Sequence, residues 1–168
     1  MAVIVAVPVI GLTIIAPAIT IIKNDLNISF EDTQVLLTVF FTFLALGQIL
    51  SGPFSDKYGR KPILLLGASI YSISAFFASL SSNIEILLIL RCFQGFGAAA
   101  CLSVGRTILS DCNEIKEAAK EMSKMTAIMA VIPISCFIFG GFLAEFLGWR
   151  TNLIALGLLS LILIISIS

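Results

Sequence analysis

Gly52-Pro53-Phe54-Ser55-Asp56-Lys57-Tyr58-Gly59-Arg60-Lys61-Pro62 is a short charged stretch set between two long apolar runs, and its reading decides the fold. A glycine at each end frees the backbone to turn and lets a neighbouring segment approach closely. One acid and three bases between Asp56 and Lys61 hold the turn at a water boundary. The pattern predicts a membrane hairpin with a specified polar loop.

Outward from this stretch the chain is apolar. Of its 168 residues 59% are hydrophobic and 12% charged, and runs of about 20 mostly apolar residues, enough to cross the hydrocarbon core, recur along it. A soluble domain of this size would be far more polar. The reading is an all-α polytopic membrane protein, one bundle of six transmembrane helices over residues 1–168, with spans near 2–22, 33–52, 62–80, 84–109, 125–147 and 152–168. The joining segments are a turn at 23–32, the charged stretch, a brief link at 81–83, a polar stretch at 110–124 and a tight corner at 148–151.

Orientation follows from the bases, because basic loops stay on the cytoplasmic side. Lys57, Arg60 and Lys61 share one loop, and Arg106, Lys116, Lys120 and Lys124 lie in or beside another. Only Lys23 and Arg150 fall at the opposite face, so both termini are expected in the cytoplasm. Lys116, Lys120 and Lys124, with Glu117 and Glu121, read as the solvated face of an interfacial helix. The N-terminal run lacks a basic leader and is long enough to span, so it reads as a retained helix rather than a cleaved signal. Hydrophobic residues start almost at Met1 and run to Ser168, which is the expectation for part of something longer.

Most soluble chemistries find no residues here. The formal net charge is zero and the charges are clustered in loops, which leaves no nucleic-acid surface. There is no histidine, and Cys92, Cys101, Cys112 and Cys136 lack metal-ligand spacing, so they read as small buried hydrophobes and no metal or cofactor is expected. Phosphate loops, nucleophile elbows and clustered bases are absent, so the chain does not read as an enzyme. Asn27-Ile28-Ser29 fits a glycosylation acceptor, a short pattern of little weight.

Inside the fourth span lies Arg91-Cys92-Phe93-Gln94-Gly95-Phe96-Gly97-Ala98-Ala99-Ala100. An arginine at mid-helix costs about 2.5–3.5 kcal/mol on insertion scales, and such a residue faces protein or a water-filled cavity. Arg91 is roughly 10 Å from the start of its span, too deep to snorkel easily. Two readings stand: an arginine lining a transport cavity, or a structural one satisfied by carbonyls and Gln94. Gly97, Cys101 and Gly105, and Gly140, Ala144 and Gly148, form stripes of small residues every fourth position that let helix backbones touch.

The Gly-x-x-x-Asp-x-x-Gly-Arg-Lys spacing of Gly52, Asp56, Gly59, Arg60 and Lys61 resembles the cytoplasmic signature of the major facilitator superfamily. The run of Arg91, Gln94, Gly95, Gly97 and Ala98 resembles the fourth-helix motif of its drug and proton antiporters. With Pro17, Gln48, Arg106, Asp111 and Gly148-Trp149-Arg150, the chain is similar over nearly its whole length to the bicyclomycin and chloramphenicol resistance (Bcr/CflA) type. The resemblance implies the N-terminal six-helix half of a twelve-helix transporter. Two positions depart from it: Cys136-Phe137 stand where a Gly-Pro pair precedes Gly140 and Gly141, with Pro133 one turn earlier, and Thr13 stands where the family often keeps an acid.

Gly141, Glu145 and Gly148 repeat the spacing of Gly52, Asp56 and Gly59, with Arg150 one residue later than Arg60. An inverted three-plus-three repeat within one six-helix half would produce this echo, and it makes Glu145 an outer counterpart of Asp56. The function implied is proton-coupled efflux of small drug-like molecules across the inner membrane. Gly52, Asp56, Gly59, Arg60 and Lys61 would form a conformational latch; Arg91, Gln94, Gln48 and Thr13 are cavity or proton-coupling candidates; Gly95, Gly97, Gly105, Gly140 and Gly141 pack helices. Arginine does not titrate in proteins, so Arg91 alone cannot carry the proton. The expected partners are the lipid bilayer, a small-molecule substrate, protons, and a second six-helix half or a second copy. The competing reading is a non-transporting remnant or an accessory membrane subunit.

Overall fold

The computed structural model describes the backbone of residues 2–111 and 115–167 and the side chains of residues 5–108 and 122–167. Cys112 and the side chains of Asp111, Lys116, Glu117, Lys120 and Glu121 lie outside the described residues. The described backbone is helical: α1 (Ala2–Thr13), a 3-10 turn (Ala16–Ala18), α2 (Ile19–Leu26), α3 (Phe30–Tyr58), α4 (Arg60–Ser79), α5 (Ile84–Asp111), α6 (Ile115–Leu147) and α7 (Trp149–Ile167). Six stretches are long and apolar enough to cross a membrane, the first being Val5–Leu26, in which α1, the 3-10 turn and α2 follow one another.

Two elements differ from the sequence reading. The first span, expected unbroken, stops at Thr13 and resumes after Ala16–Ala18. Pro17 is the cause: it has no N–H to give the Thr13 carbonyl and its ring crowds that oxygen, so the helix ends four residues before it. The second correction concerns the charged stretch, which is not an eleven-residue turn. α3 continues through Gly52, Pro53 and Asp56 to Tyr58, and α4 starts at Arg60. Gly59 alone makes the corner, with φ +92°, a conformation that side chains oppose. Pro62 is tolerated because it falls in the first turn of α4, where its missing N–H is no loss. At the other end of α3, Ser29 caps the helix by accepting from the Asp32 N–H at 3.0 Å.

The corner between α6 and α7 repeats this construction. Gly148, at φ +85°, is the one residue between Leu147 and Trp149. The two positive-φ glycines thus stand at matching places, between the second and third spans and between the fifth and sixth, at opposite ends of the bundle. This is the geometry an inverted repeat requires.

α5 is the central helix. Lipid offers no hydrophobic drive for one apolar helix to leave it for another, so close backbone packing and internal hydrogen bonds decide the arrangement. Gly95 faces α3, where an added Cβ would lie 2.6 Å from the Phe40 carbonyl oxygen. Gly97 faces α4, where it would lie 2.5 Å from Gly67 O and 2.7 Å from Tyr71 N. Gly47 of α3 in turn meets Ala99, and Gly105 is buried further along. α4 and α7 are tied by a reciprocal pair: Ser72 Oγ donates to Gly157 O and Ser160 Oγ donates to Ala68 O, each at 2.9 Å. Gly140 of α6 packs on Ile14, with an added Cβ 2.5 Å from its carbonyl oxygen, and Gly141 is near Pro17.

α3 and α6 are the least covered. Val131, Ile134, Ile138 and Phe142 of α6 are 61–66% exposed. On α3, Phe41, Ile49 and Gly52 present an open face, and no atom of the described residues lies within 4 Å of a Cβ built on Gly52.

These surroundings separate the glycines by substitution. Gly97→Ala should destabilise the protein by about 1–3 kcal/mol, since fixed backbone has to give way. Gly59→Ala should cost about 1–3 kcal/mol through backbone strain. Gly52→Ala should be neutral or stabilising by up to about 1 kcal/mol, as a helical position gains propensity in open space. Unfolding in detergent micelles followed by circular dichroism ranks the three; a Gly97→Ala protein as stable as its parent would contradict the packing.

Candidate functional site

The interior polar centre is built on α5. Arg91 points into the space between α1, α3 and α4 and is 1% exposed, and Gln94, one turn on, is fully buried. The Arg91 Nη1 donates to Gln94 Oε1 at 2.7 Å and to the Gly11 carbonyl of α1 at 3.4 Å. The guanidinium carbon sits 5.2 Å from the centre of the Phe40 ring of α3, a cation–π distance. Gly11 has no room for a side chain because the Tyr71 ring of α4 fills the place, and Tyr71 OH donates to Val7 O at 3.4 Å. Both readings of Arg91 find a feature here. The Gln94 and carbonyl contacts are those of a structural arginine; the Nη2 of Arg91 and the Nε2 of Gln94 are buried donors with no hydrogen-bond partner among the described residues. The arginine is enclosed by protein in this conformation, so it does not open onto a water-filled cavity.

The other coupling candidates are scattered. Thr13 ends α1, its hydroxyl donating to Val9 O at 2.8 Å, and lies beside the Cys136 thiol of α6. Gln48 is half-buried on α3, one turn before Gly52. At the Gly59 end, Asp56, which is exposed, and Arg60, which is half-buried, form an i, i+4 ion pair at 3.8 Å, and Lys61 is exposed beside it. Glu145 is exposed near the end of α6. Its expected role as counterpart of Asp56 is not matched in pairing, because Arg150 turns to a different acid.

That acid is Asp25, at the end of α2. Its Oδ2 accepts from Arg150 Nη1 at 2.6 Å and from the Trp149 indole at 3.0 Å. Arg150 also donates to Ser81 O at 3.2 Å and stacks 4.4 Å from the Trp149 ring centre. The clasp joins α2, the α4–α5 link and α7 at the end opposite Gly59. Sequence reasoning noted Gly148-Trp149-Arg150 but not its partner, because Asp25 is more than a hundred residues away, inside the turn at 23–32.

Asn152 was missed entirely. It is fully buried on α7 and its Nδ2 donates to Ile14 O at 2.9 Å and to Gly140 O at 3.0 Å. The reason lies in the break at Pro17. The Ala18 N–H bonds to Ile15 O at 2.9 Å in the 3-10 turn, not to Ile14 O as an α-helix would have it. Ile14 therefore presents a carbonyl inside an apolar bundle, and Asn152 supplies the donor. Gly140 makes the meeting possible by leaving no side chain in between. The signal was a polar amide inside an apolar span, paired with a proline that must free a carbonyl.

Asn152→Ala should cost about 1–3 kcal/mol, the penalty of leaving buried carbonyl groups without a donor. Asp25→Asn removes an exposed charge and should cost at most about 1 kcal/mol. Thermal unfolding in detergent checks the order, and equal effects would contradict it.

The comparisons with known proteins agree with this architecture. The family model described as Major Facilitator Superfamily matches residues 1–168. Among the similar curated proteins, the bicyclomycin resistance protein homolog of Haemophilus influenzae is 32% identical over 155 residues, which is 92% of this chain and 39% of that protein. The chloramphenicol resistance protein of Pseudomonas aeruginosa is 31% identical over 149 residues, 88% of this chain and 36% of its own length. The multidrug resistance protein MdtL of Shewanella oneidensis is 30% identical over 141 residues, 82% of this chain and 36% of its own. The chain thus spans less than two fifths of these relatives, in their N-terminal part. The six apolar helices, the paired glycine corners and the match over the full sequence lead to one conclusion: the chain belongs to the major facilitator superfamily, whose N-terminal half it represents.

Proposed function

We propose that this six-helix unit is one half of a proton-coupled efflux transporter for small drug-like molecules, set in the inner membrane with both termini cytoplasmic. The observation that carries the reading is the uncovered pair of helices. α3 and α6 leave small residues and large apolar side chains facing outward, including Gly52 with open space beside it. A second six-helix half, on the same polypeptide or another, or a second copy of this one, would cover them. The names of the relatives, which concern resistance to bicyclomycin, chloramphenicol and multiple drugs, supply the substrate class.

In this reading substrate passes between the two halves as one rocks against the other. Gly52 and Asp56 meet the second half at the cytoplasmic face, with Gly59, Arg60 and Lys61 completing the latch. Arg91 and Gln94 stay buried and fix a positive charge near the cavity wall, which biases a neighbouring proton site. The proton itself needs a carboxylate. Thr13 replaces one in the first span, so the titrating group comes from elsewhere in the complete transporter. Efflux, rather than an accessory role, is favoured by the two buried donors at Arg91 and Gln94 that have no partner among the described residues. A purely structural arginine would be expected to use them.

Two measurements check this. Cysteines at Lys57 and Asn27, in a background without the native four, should be labelled only from the cytoplasm and only from outside, respectively; the reverse would overturn the orientation. In vesicles holding the unit together with its completing half, Arg91→Ala should abolish drug-driven proton flux while membrane insertion is unchanged, because removing an intramembrane charge favours insertion. Full flux in Arg91→Ala would reduce Arg91 to a structural role.

A further inference from the structure

Arg91 carries a positive charge into the bundle at a level where the surrounding helices bring no negative one. α1 and α4 contain no acid at all, and α3 has acids only in its first turn and at Asp56 near its last. On α5 itself Glu85 is exposed, six residues earlier and about 240° around the helix. Asp111 comes twenty residues later, roughly 30 Å along the axis, and the acids of 114–121 follow from that far end. Of the others, Asp25 pairs with Arg150 and Glu145 is exposed on α6.

The hydrogen bonds of the pair point the same way. A guanidinium only donates, so Gln94 has to turn its oxygen to Arg91 Nη1, at 2.7 Å, which fixes its amide nitrogen as a donor directed elsewhere. Arg91 Nη2 and Gln94 Nε2 are thus two buried donors, on groups bonded to each other, with no partner among the described residues. The second bond of Nη1, to Gly11 O, is long at 3.4 Å. Tyr71, packed on Gly11, brings a hydroxyl whose bond to Val7 O is equally long. Water would satisfy such donors but not the charge, and a buried charge without a counter-charge costs far more than an unmade hydrogen bond. The fitting guest is an acceptor that is also negative. Both residues are fully enclosed and the Phe40 ring covers the guanidinium at 5.2 Å, which selects a small monovalent ion over a phosphate or a drug-sized carboxylate. We propose that Arg91 and Gln94 hold a chloride ion, with Nη2 and Nε2 donating to it. An exchangeable counter-ion here would set how much positive charge the arginine shows to a neighbouring proton site. That consequence rests on the efflux reading; the binding itself needs neither transport nor a second half.

The test is thermal unfolding of the full chain in detergent, followed by circular dichroism, as chloride replaces gluconate at constant ionic strength and pH. Chloride should raise the unfolding temperature saturably, by about 5–10 °C once it stands a hundredfold above its dissociation constant, and bromide should act alike. Arg91→Met removes the charge and keeps an apolar side chain, whereas Gln94→Glu sets a fixed carboxylate against the guanidinium. Each should fold and lose the chloride response, and Lys57→Gln, at an exposed base, should keep it. Equal unfolding temperatures in chloride and gluconate would leave the two donors to water and overturn the site. A response that survives in Arg91→Met or Gln94→Glu, or is lost in Lys57→Gln, would move the anion to the exposed bases and overturn it too. Drug-driven proton flux is measured separately, so a failure of chloride binding and a failure of the efflux reading are distinguishable.

Discussion

Contact of the α5 backbone with α3 on one side and α4 on the other, through Gly95 and Gly97, is the constraint on which the other contacts depend. A bilayer gives apolar helices no reason to leave lipid for each other, so a bundle holds only where backbones touch or polar groups pair. Gly97 sets α4 close enough for Ser72 and Ser160 to tie α4 to α7. α7 then brings Asn152 to the Pro17 break, and Asn152 joins α1 to α6 through two carbonyls. Each step needs the geometry of the one before.

The same constraint explains where polarity is allowed inside. A carbonyl or guanidinium in hydrocarbon costs several kcal/mol unless it is matched. Ile14 O is matched by Asn152, and Arg91 in part by Gln94, Gly11 O and the Phe40 ring. At the interface the demand relaxes, and the pairs there are ionic and at least partly exposed: Asp56 with Arg60 at one end, Asp25 with Arg150 at the other. In the transporter proposed above, dry contacts would keep this half rigid as it rocks, and the interfacial pairs, worth little individually, would be free to exchange partners between conformations.

Much of this was legible in the sequence, for definite reasons. Apolar runs of spanning length gave six helices, and Gly59 and Gly148 were readable as corners because only glycine adopts their φ without strain. Gly52 was misread: a glycine before proline looks like a turn, yet a glycine in a helix can serve an open face instead of a bend. The Pro17 break was also missed, since a proline inside an apolar span was taken with the family pattern rather than with its effect on the Thr13 and Ile14 carbonyls. Asn152 and Asp25 eluded the sequence because their partners are 138 and 124 residues away. Local spacing carries no record of such pairs. The burial of Arg91 followed from the energetics of its depth, whereas its ring and carbonyl contacts needed the arrangement of four helices.

The central claim is that this unit is completed by a second one across its α3 and α6 faces. Cysteine at Gly52, in a background without the native cysteines, measures it most directly when the unit is produced with and without a completing six-helix segment. The account predicts that labelling at position 52 is lost, and cross-linking to the second segment gained, when the two are together, while a cysteine at Leu66, exposed on α4, keeps its accessibility. Unchanged labelling at position 52 in the assembled, transporting protein would contradict it.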